Sequence, residues 1–215
     1  NIPVGSRQAK GKPVVNMINL DKDEKITAMI PVKEFSEDLF LTLCTRRGII
    51  KKTNLMAYSR PRQGGIIAIK LDDGDSLINA EMTDGKRDLL IATKKGMAIR
   101  FNEKQVRAIG RTSRGVRGIN LKKDDEVVGM VIATPVKSIL TVTKNGYGKR
   151  TPVEEYRLIN RGGVGVINIK TSERNGEVVD VKSVYPDDEI MIRSKKGIII
   201  RTAVRGISLI GRNTQ

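Results

Sequence analysis

One motif occurs four times in this chain, and any fold has to accommodate it each time. The segments LFLTLCTRRGIIKKT, DLLIATKKGMAIRF, SILTVTKNGYGKRT and EIMIRSKKGIIIRT place glycines at Gly48, Gly96, Gly146 and Gly197, at intervals of 48, 50 and 51 residues. Apolar and β-branched residues flank a two-residue polar corner such as Lys94-Lys95, and the glycine that follows supplies the positive φ of a tight turn, so each copy predicts a β-hairpin. Upstream of each hairpin a second element recurs as GKPVVNMINL, GGIIAIKL, RGVRGINL and GGVGVINI, ending at Leu20, Leu71, Leu121 and Ile169, and it reads as another strand. A third recurs as the stretches 25–30, 76–82, 126–132 and 177–184. About four strands per unit is the size of a propeller blade, and blades bury both faces only by stacking radially. The expected class is therefore all-β and propeller-like, in four-stranded blades, with approximate units 6–61, 62–112, 113–161 and 162–212 in a single domain. Helical periodicity is weak, allowing a single turn after each hairpin, and the Trp and His of WD40 blades are missing. The pattern is already under way at the first residues and still running at the last, so the chain reads as a fragment of a longer polypeptide.

What the chain lacks excludes much chemistry. With no histidine there is no Ser-His or Cys-His pair and no His ligand for zinc. The single cysteine, Cys44, lies in an alternating apolar run and reads as a small core residue. No Trp, three Phe and four Tyr argue against stacking of single-stranded bases. No segment approaches a bilayer span or a signal peptide, so the expectation is a soluble, cytoplasmic protein with no membrane partner.

Charge is the positive signal. Forty Lys and Arg against 24 Asp and Glu give +16, as expected of a partner for a polyanion. The cations follow the repeat: Lys52, Arg100, Arg150 and Arg201 stand four residues after the hairpin glycines, and Arg62, Arg111, Arg161 and Arg212 follow fourteen or fifteen residues after those glycines. Arg46, Arg47, Lys94, Lys95, Lys144, Lys195 and Lys196 occupy the turns, with Lys149, Arg114 and Arg117 nearby. On blades around an axis, registered positions form a ring, which suits a curved line of phosphates better than it suits base reading. Curving a 20–30 bp site by 40–90° costs of order 1–6 kcal/mol, so successive contacts are needed to hold it. The competing reading of the same cations is solubility and protection of strand edges, and a basic propeller meeting an acidic protein is the alternative partner class.

The strings RQAKGKPVVNMINL, KLDDGDSLI, Gln105-Val-Arg-Ala-Ile-Gly110, GVRGINL, KNGYGKRTPVEEY, ERNGEVV and GRNTQ, in this order along the whole chain, resemble the C-terminal, DNA-wrapping domain of the A subunit of DNA gyrase, of the type IIA topoisomerases. The resemblance implies a six-bladed β-pinwheel whose neighbouring blades exchange a strand, with duplex DNA wrapped around a basic rim in support of ATP-dependent negative supercoiling. It also implies a chain joined to the rest of the A subunit, in an A2B2 complex with the B subunit, with ATP and Mg2+ used by other domains and no cofactor in this segment. The family's cutting tyrosine lies elsewhere in the A subunit, so Tyr58, Tyr147, Tyr156 and Tyr185 are expected to be packing residues. The family's basic box, QRRGGKG, is absent; Arg62-Gln-Gly-Gly65, Ser113 to Gly118 and Asn160 to Gly165 look like degenerate copies, and a parent truly lacking the box would fit a topoisomerase IV-type subunit.

Two further motifs carry no chemistry. The acidic clusters Asp72-Asp73-Gly-Asp75, Asp124-Asp125-Glu126 and Asp187-Asp188 miss the EF-hand register and read as turns. Gly146 to Thr151 only superficially suggests a phosphate loop, since Thr143 stands where the first glycine is required. No nucleophile, base and orienter can be assembled, so the segment is expected to be non-catalytic.

Overall fold

The computed structural model describes residues 4–6, 8–13, 16–18, 20, 24–62 and 64–214. All four expected hairpins form: β1 (Phe40–Thr45) with β2 (Ile49–Asn54), β4 (Asp88–Thr93) with β5 (Met97–Asn102), β8 (Ser138–Thr143) with β9 (Gly148–Pro152), and β12 (Glu189–Arg193) with β13 (Ile199–Ala203). Each turn closes by an N–H of the glycine donating to the carbonyl three residues earlier, as Gly48 to Thr45 and Gly96 to Thr93, both 3.0 Å. The Thr or Ser that opens the turn adds a side-chain bond: Thr45 Oγ1 accepts from Ile49 N and Thr93 Oγ1 from Met97 N.

The sheets are completed across repeats. Strand β3 (Leu77–Thr83) of the second unit pairs with β1, β7 (Val127–Ile132) with β4, and β11 (Val178–Val184) with β8. The short β6 (Val116–Arg117) pairs with β2 and β10 (Val166–Ile167) with β5, each two units downstream of the hairpin it joins. The resulting orders are β3-β1-β2-β6, β10-β5-β4-β7, β11-β8-β9 and β12-β13. Strands β3, β7 and β11 pack side by side: Asn79 Nδ2 donates to Met130 O at 2.6 Å, and Gly129 lies against Val181. These strands therefore line the centre, which puts β6 and β10 on the outer perimeter.

This topology corrects the expected strands. The upstream element is a strand only as the two-residue β6 and β10, because it pairs with a hairpin two units earlier, and stretches 11–20 and 64–71 have no such hairpin before them in this chain. Residues 14, 15 and 19 of that expectation lie outside the described residues. Stretch 25–30 forms no strand for the same reason, whereas its counterparts become β3, β7 and β11.

The core lies between successive sheets. On β4, Leu89 and Ile91 pack with Cys44, Ile50 and Met130, while Leu90 and Ala92 face Ile139, Tyr156 and Val181 on the other side. A strand covered on both faces reads as a continuous apolar run, which is what DLLIAT is. Burying each Leu or Ile of this kind contributes roughly 1.5–3 kcal/mol. Cys44 is fully buried, and desolvation, helped by the Asp75 carboxylate, pushes its thiol up to about 12.

Two glycines permit the exchange. An added Cβ at Gly96 would collide with Ile169 O and one at Gly165 with Ala98 O, and the two residues have φ of +81° and +83°. Gly96→Ala and Gly165→Ala should each cost on the order of 3 kcal/mol or more in denaturant unfolding, whereas Gly211→Ala, with open space around its Cβ position, should stay within about 0.5 kcal/mol of the parent chain.

Candidate nucleic-acid interface

The first registered ring of cations is not a surface belt. Lys52 and Arg150 are 6% and 8% exposed, and the Arg100 side chain 14%. Each reaches the 3-10 turn of the following repeat: Lys52 Nζ donates to Glu103 O at 2.9 Å, Arg100 Nη1 to Val153 O and Tyr156 O at 3.1 and 3.2 Å, and Arg150 Nε to Ile207 O at 2.9 Å. The backbone repeats the link, with Ile109, Ile159 and Ile210 N–H groups donating to the carbonyls of Lys52, Arg100 and Arg150. Lys52 also faces the fully buried Glu103 carboxylate at 3.6 Å, and Arg100 pairs with Asp88 at 2.7 Å. These three side chains tie blade to blade, and their donors already face protein carbonyls and carboxylates. Arg201, the fourth member, is exposed and paired with Glu189.

The second ring lies at the perimeter, in four glycine-rich corners formed by residues 62 and 64–71, 111–121, 161–170 and 211–214. Successive corners overlap like shingles: Lys70 N–H donates to Ser113 O, Asn120 to Gly163 O and Lys170 to Thr214 O, at 2.8–3.1 Å. The registered arginines staple the same overlaps, as Arg111 Nη1 to Ile67 O at 2.9 Å, Arg161 Nη1 to Arg117 O at 2.9 Å and Arg212 Nη1 to Ile167 O at 3.0 Å. Arg161 and Arg212 add bonds from Nε to Gln105 O and Glu155 O. All three remain half-exposed. A guanidinium carries five N–H donors, so each keeps donors beyond those it gives to carbonyls. Arg62, Arg114 and Arg117 are exposed on these corners, and Arg114 is held by Asp72 through Nε at 2.7 Å and Nη2 at 2.5 Å.

The hairpin tips carry the remaining expected cations. Arg47, Lys95, Lys144, Lys195 and Lys196 are exposed there without a side-chain ion pair among the described residues. Arg46 and Lys94 belong instead to a ladder across neighbouring tips, Arg46 to Glu126 at 3.9 Å, Glu126 to Lys94 at 3.3 Å and Lys94 to Glu177 at 3.5 Å. The acidic turns hold the tips in place: Asp75 Oδ1 accepts from Arg47 N at 3.0 Å and Asp125 Oδ1 from Lys95 N at 2.9 Å. The Arg114 guanidinium, bonded to Asp72, holds that carboxyl below its usual range. Exposed Lys70, Lys122, Lys123 and Lys170 extend the basic surface beside the corners and tips; Lys122, Lys123 and Lys170 lie just past the end of the recurring upstream element and Lys70 just inside it, and that repeated end is the signal that points to them.

Lys149 is the one expected contact that is buried in a different way. It is 2% exposed, and its ammonium donates to Gly211 O, Arg212 O and Thr214 Oγ1 at 2.6–2.9 Å. Lys51, one repeat pair earlier, is fully buried and donates to Ala68 O and Arg111 O. Desolvation, with the nearby Arg111 or Arg212 guanidinium, lowers both ammonium groups to about 8. Of the tyrosines, Tyr156 is buried and donates to Asn168 Oδ1 at 2.5 Å, and Tyr58 is half-buried. Tyr147 and Tyr185 are exposed and face Arg174 and Lys137 instead of packing, with cations 5.2 and 4.3 Å from the ring centroids. Among the described residues, no group of three or more His, Cys, Asp or Glu is placed to hold a metal ion, and no helix is long and apolar enough to cross a membrane.

Repeated hairpins joined by exchanged strands around a common centre, with a basic perimeter, define a propeller-like all-β domain. The chain belongs to the family described as DNA gyrase C-terminal domain, beta-propeller, which matches residues 1–33, 40–84, 87–134, 137–184 and 188–215. The DNA gyrase A subunit of Salmonella typhimurium is 47% identical over 214 residues, covering 100% of this chain and 24% of the relative. Its Staphylococcus aureus counterpart is 48% identical over 217 residues, again covering 100% and 24%. The chain thus spans about a quarter of the length of these relatives. Among solved structures, a DNA gyrase A C-terminal domain is similar with a TM-score of 0.87 and 31% identity, covering 98% of this chain and 71% of that one. The C-terminal domain of a DNA topoisomerase IV is similar with a TM-score of 0.88 and 28% identity, covering 95% and 64%.

The buried ammonium groups set a pH response. Lysine titrates at 10.5 when unperturbed and at about 8 in Lys51 and Lys149, so above pH 8 the unfolded chain binds more protons than the folded one. Stability therefore rises with pH as these groups deprotonate in the fold. The denaturation midpoint should climb between pH 8 and 9.5, and Lys149→Met should flatten that climb.

Proposed function

We propose that this chain binds duplex DNA along its perimeter corners and adjoining hairpin tips, and that it curves the DNA as the wrapping domain of a gyrase A subunit. The observation that carries the reading is the overlapped row of corners, which sets Arg62, Arg111, Arg114, Arg117, Arg161 and Arg212 at successive repeats around the outer edge. Phosphates recur regularly along a duplex, and a curved row of guanidinium groups matches them without reading bases. Curvature is held because several repeats contact the backbone in succession, together offsetting an elastic cost of order 1–6 kcal/mol for a bend of 40–90°. Arg47, Lys95, Lys144, Lys195 and Lys196 on the tips widen the positive field that attracts the polyanion.

In this reading the parent is a type II DNA topoisomerase that introduces negative supercoils, with the catalysis, ATP and Mg2+ in other domains and this segment non-catalytic. The chain works joined to the rest of the A subunit, in an A2B2 complex that includes the B subunit, in the bacterial cytoplasm and on the nucleoid. Family membership and 47–48% identity to gyrase A subunits support it. The similar topoisomerase IV domain supports a second reading, as the corresponding domain of that enzyme.

Binding to a duplex of about 40 bp across a salt series should fall with a log–log slope of about −0.9 per phosphate neutralised. Closing relaxed circular DNA in the presence of the chain should shift its linking number if the segment wraps by itself. Arg114→Glu with Arg117→Glu should weaken binding by about tenfold or more with little loss of stability. Arg100→Glu should instead unfold the chain, since it opposes the part-buried Asp88 and leaves the carbonyls of Val153 and Tyr156 without their donor. Loss of binding without loss of fold in Arg100→Glu, or unchanged binding in the Arg114 and Arg117 pair, would reassign the interface.

A further inference from the structure

Each half-exposed corner arginine has its backbone fixed by a side chain from an earlier repeat, and the three corners do this by two different chemistries. At Arg111 the buried Lys51 ammonium donates to the arginine's own carbonyl, and at Arg212 the buried Lys149 ammonium does the same at 2.6 Å. At Arg161 the residue in the place of Lys51 and Lys149 is Ile99, which has no donor, and there Gln105 Oε1 accepts from Arg161 N at 2.9 Å. Unrelated side chains thus anchor the equivalent residue of all three corners.

Two of the three anchors also come at an electrostatic disadvantage in the free protein. Lys51 and Lys149 hold a desolvated ammonium close to a guanidinium, and the repulsion from Arg111 and Arg212 adds to desolvation in lowering both. An anion seated on the guanidinium would relieve that repulsion, so the arrangement suits a corner that is occupied by a negative charge in use.

We propose that Lys51, Gln105 and Lys149 are positioning residues that hold Arg111, Arg161 and Arg212 in register to contact successive phosphates of a duplex. This rests on the DNA-binding reading above. The anchors act through the arginines and touch no phosphate themselves: the Lys51 and Lys149 side chains are buried, and the Gln105 amide oxygen is engaged by Arg161 N.

The test is a double-mutant cycle on the 215-residue chain, read as affinity for a 40 bp duplex (a length of about four helical turns) and as salt slope, at a temperature where every variant is folded by circular dichroism. Gln105→Ala, Arg161→Ala and the pair form the first cycle, since this half-exposed glutamine can be truncated with the backbone carbonyl that binds Arg161 Nε left in place. Lys51→Met, Arg111→Ala and their pair form the second. Each single variant should weaken binding by about three- to tenfold and reduce the salt slope by about one phosphate contact, and each pair should bind no more weakly than its arginine variant alone. Additive losses in the Gln105 and Arg161 cycle, or a Gln105→Ala variant with parental affinity and slope while Arg161→Ala binds weakly, would overturn the positioning role. A parent chain that fails to bind the duplex at low salt would instead overturn the DNA-binding reading.

Discussion

The exchange of strands between repeats is the constraint on which the rest of this structure depends. A hairpin such as β1 and β2 has two open edges, and neither is closed by its own repeat: β3 arrives from the next unit and β6 from the one after. The crossing is closed by backbone contacts at the hairpin glycines, where Gly48 O accepts from Gly118 N and Gly96 O from Asn168 N, both at 2.8 Å. Backbones this close leave no room for a Cβ, which is why the turn glycines serve the tertiary fold as well as the turn. Each sheet also covers the next, so stability is shared among neighbouring units in the manner of a repeat protein.

That same exchange divides the positive charge into two populations. Cations on the hairpin strands, such as Lys52, Arg100 and Arg150, are carried inward against the next repeat's 3-10 turn, where exposed ends of backbone need donors. Cations on the corners and tips remain at the surface, several of them moderated by Asp72, Glu126 and Glu177. Arginine suits the corners because one planar group can bond a carbonyl of the preceding corner and still present donors outward. The perimeter is thereby assembled within the chain itself, with the backbone positions of its guanidinium groups already set.

Much of the fold was legible in the sequence. The spacing of Gly48, Gly96, Gly146 and Gly197 located all four hairpins, and the stretches 76–82, 126–132 and 177–184 became strands. The upstream element was over-read, since its apolar residues Ile119 and Ile169 pack into the core from loops that hold only two residues in a strand. The site was legible in part. Arg62, Arg114, Arg117 and the tip lysines lie at the surface, as does Arg201, but Lys52, Arg100 and Arg150 of the same register do not, because periodicity gives the same register to a cation that faces solvent and to one that faces a neighbouring blade.

Local sequence determined what local forces decide: where the chain turns, which runs are extended, that the blades repeat, and that the molecule carries +16. Tertiary structure alone decided which repeat supplies each strand and which cations keep their donors for solvent. The reason is that a hairpin's turn is set by residues within four of one another, whereas the strand that closes its open edge begins 67 to 69 residues downstream, as from Ile49 to Val116 and from Met97 to Val166, and only packing of the whole chain brings that partner into reach.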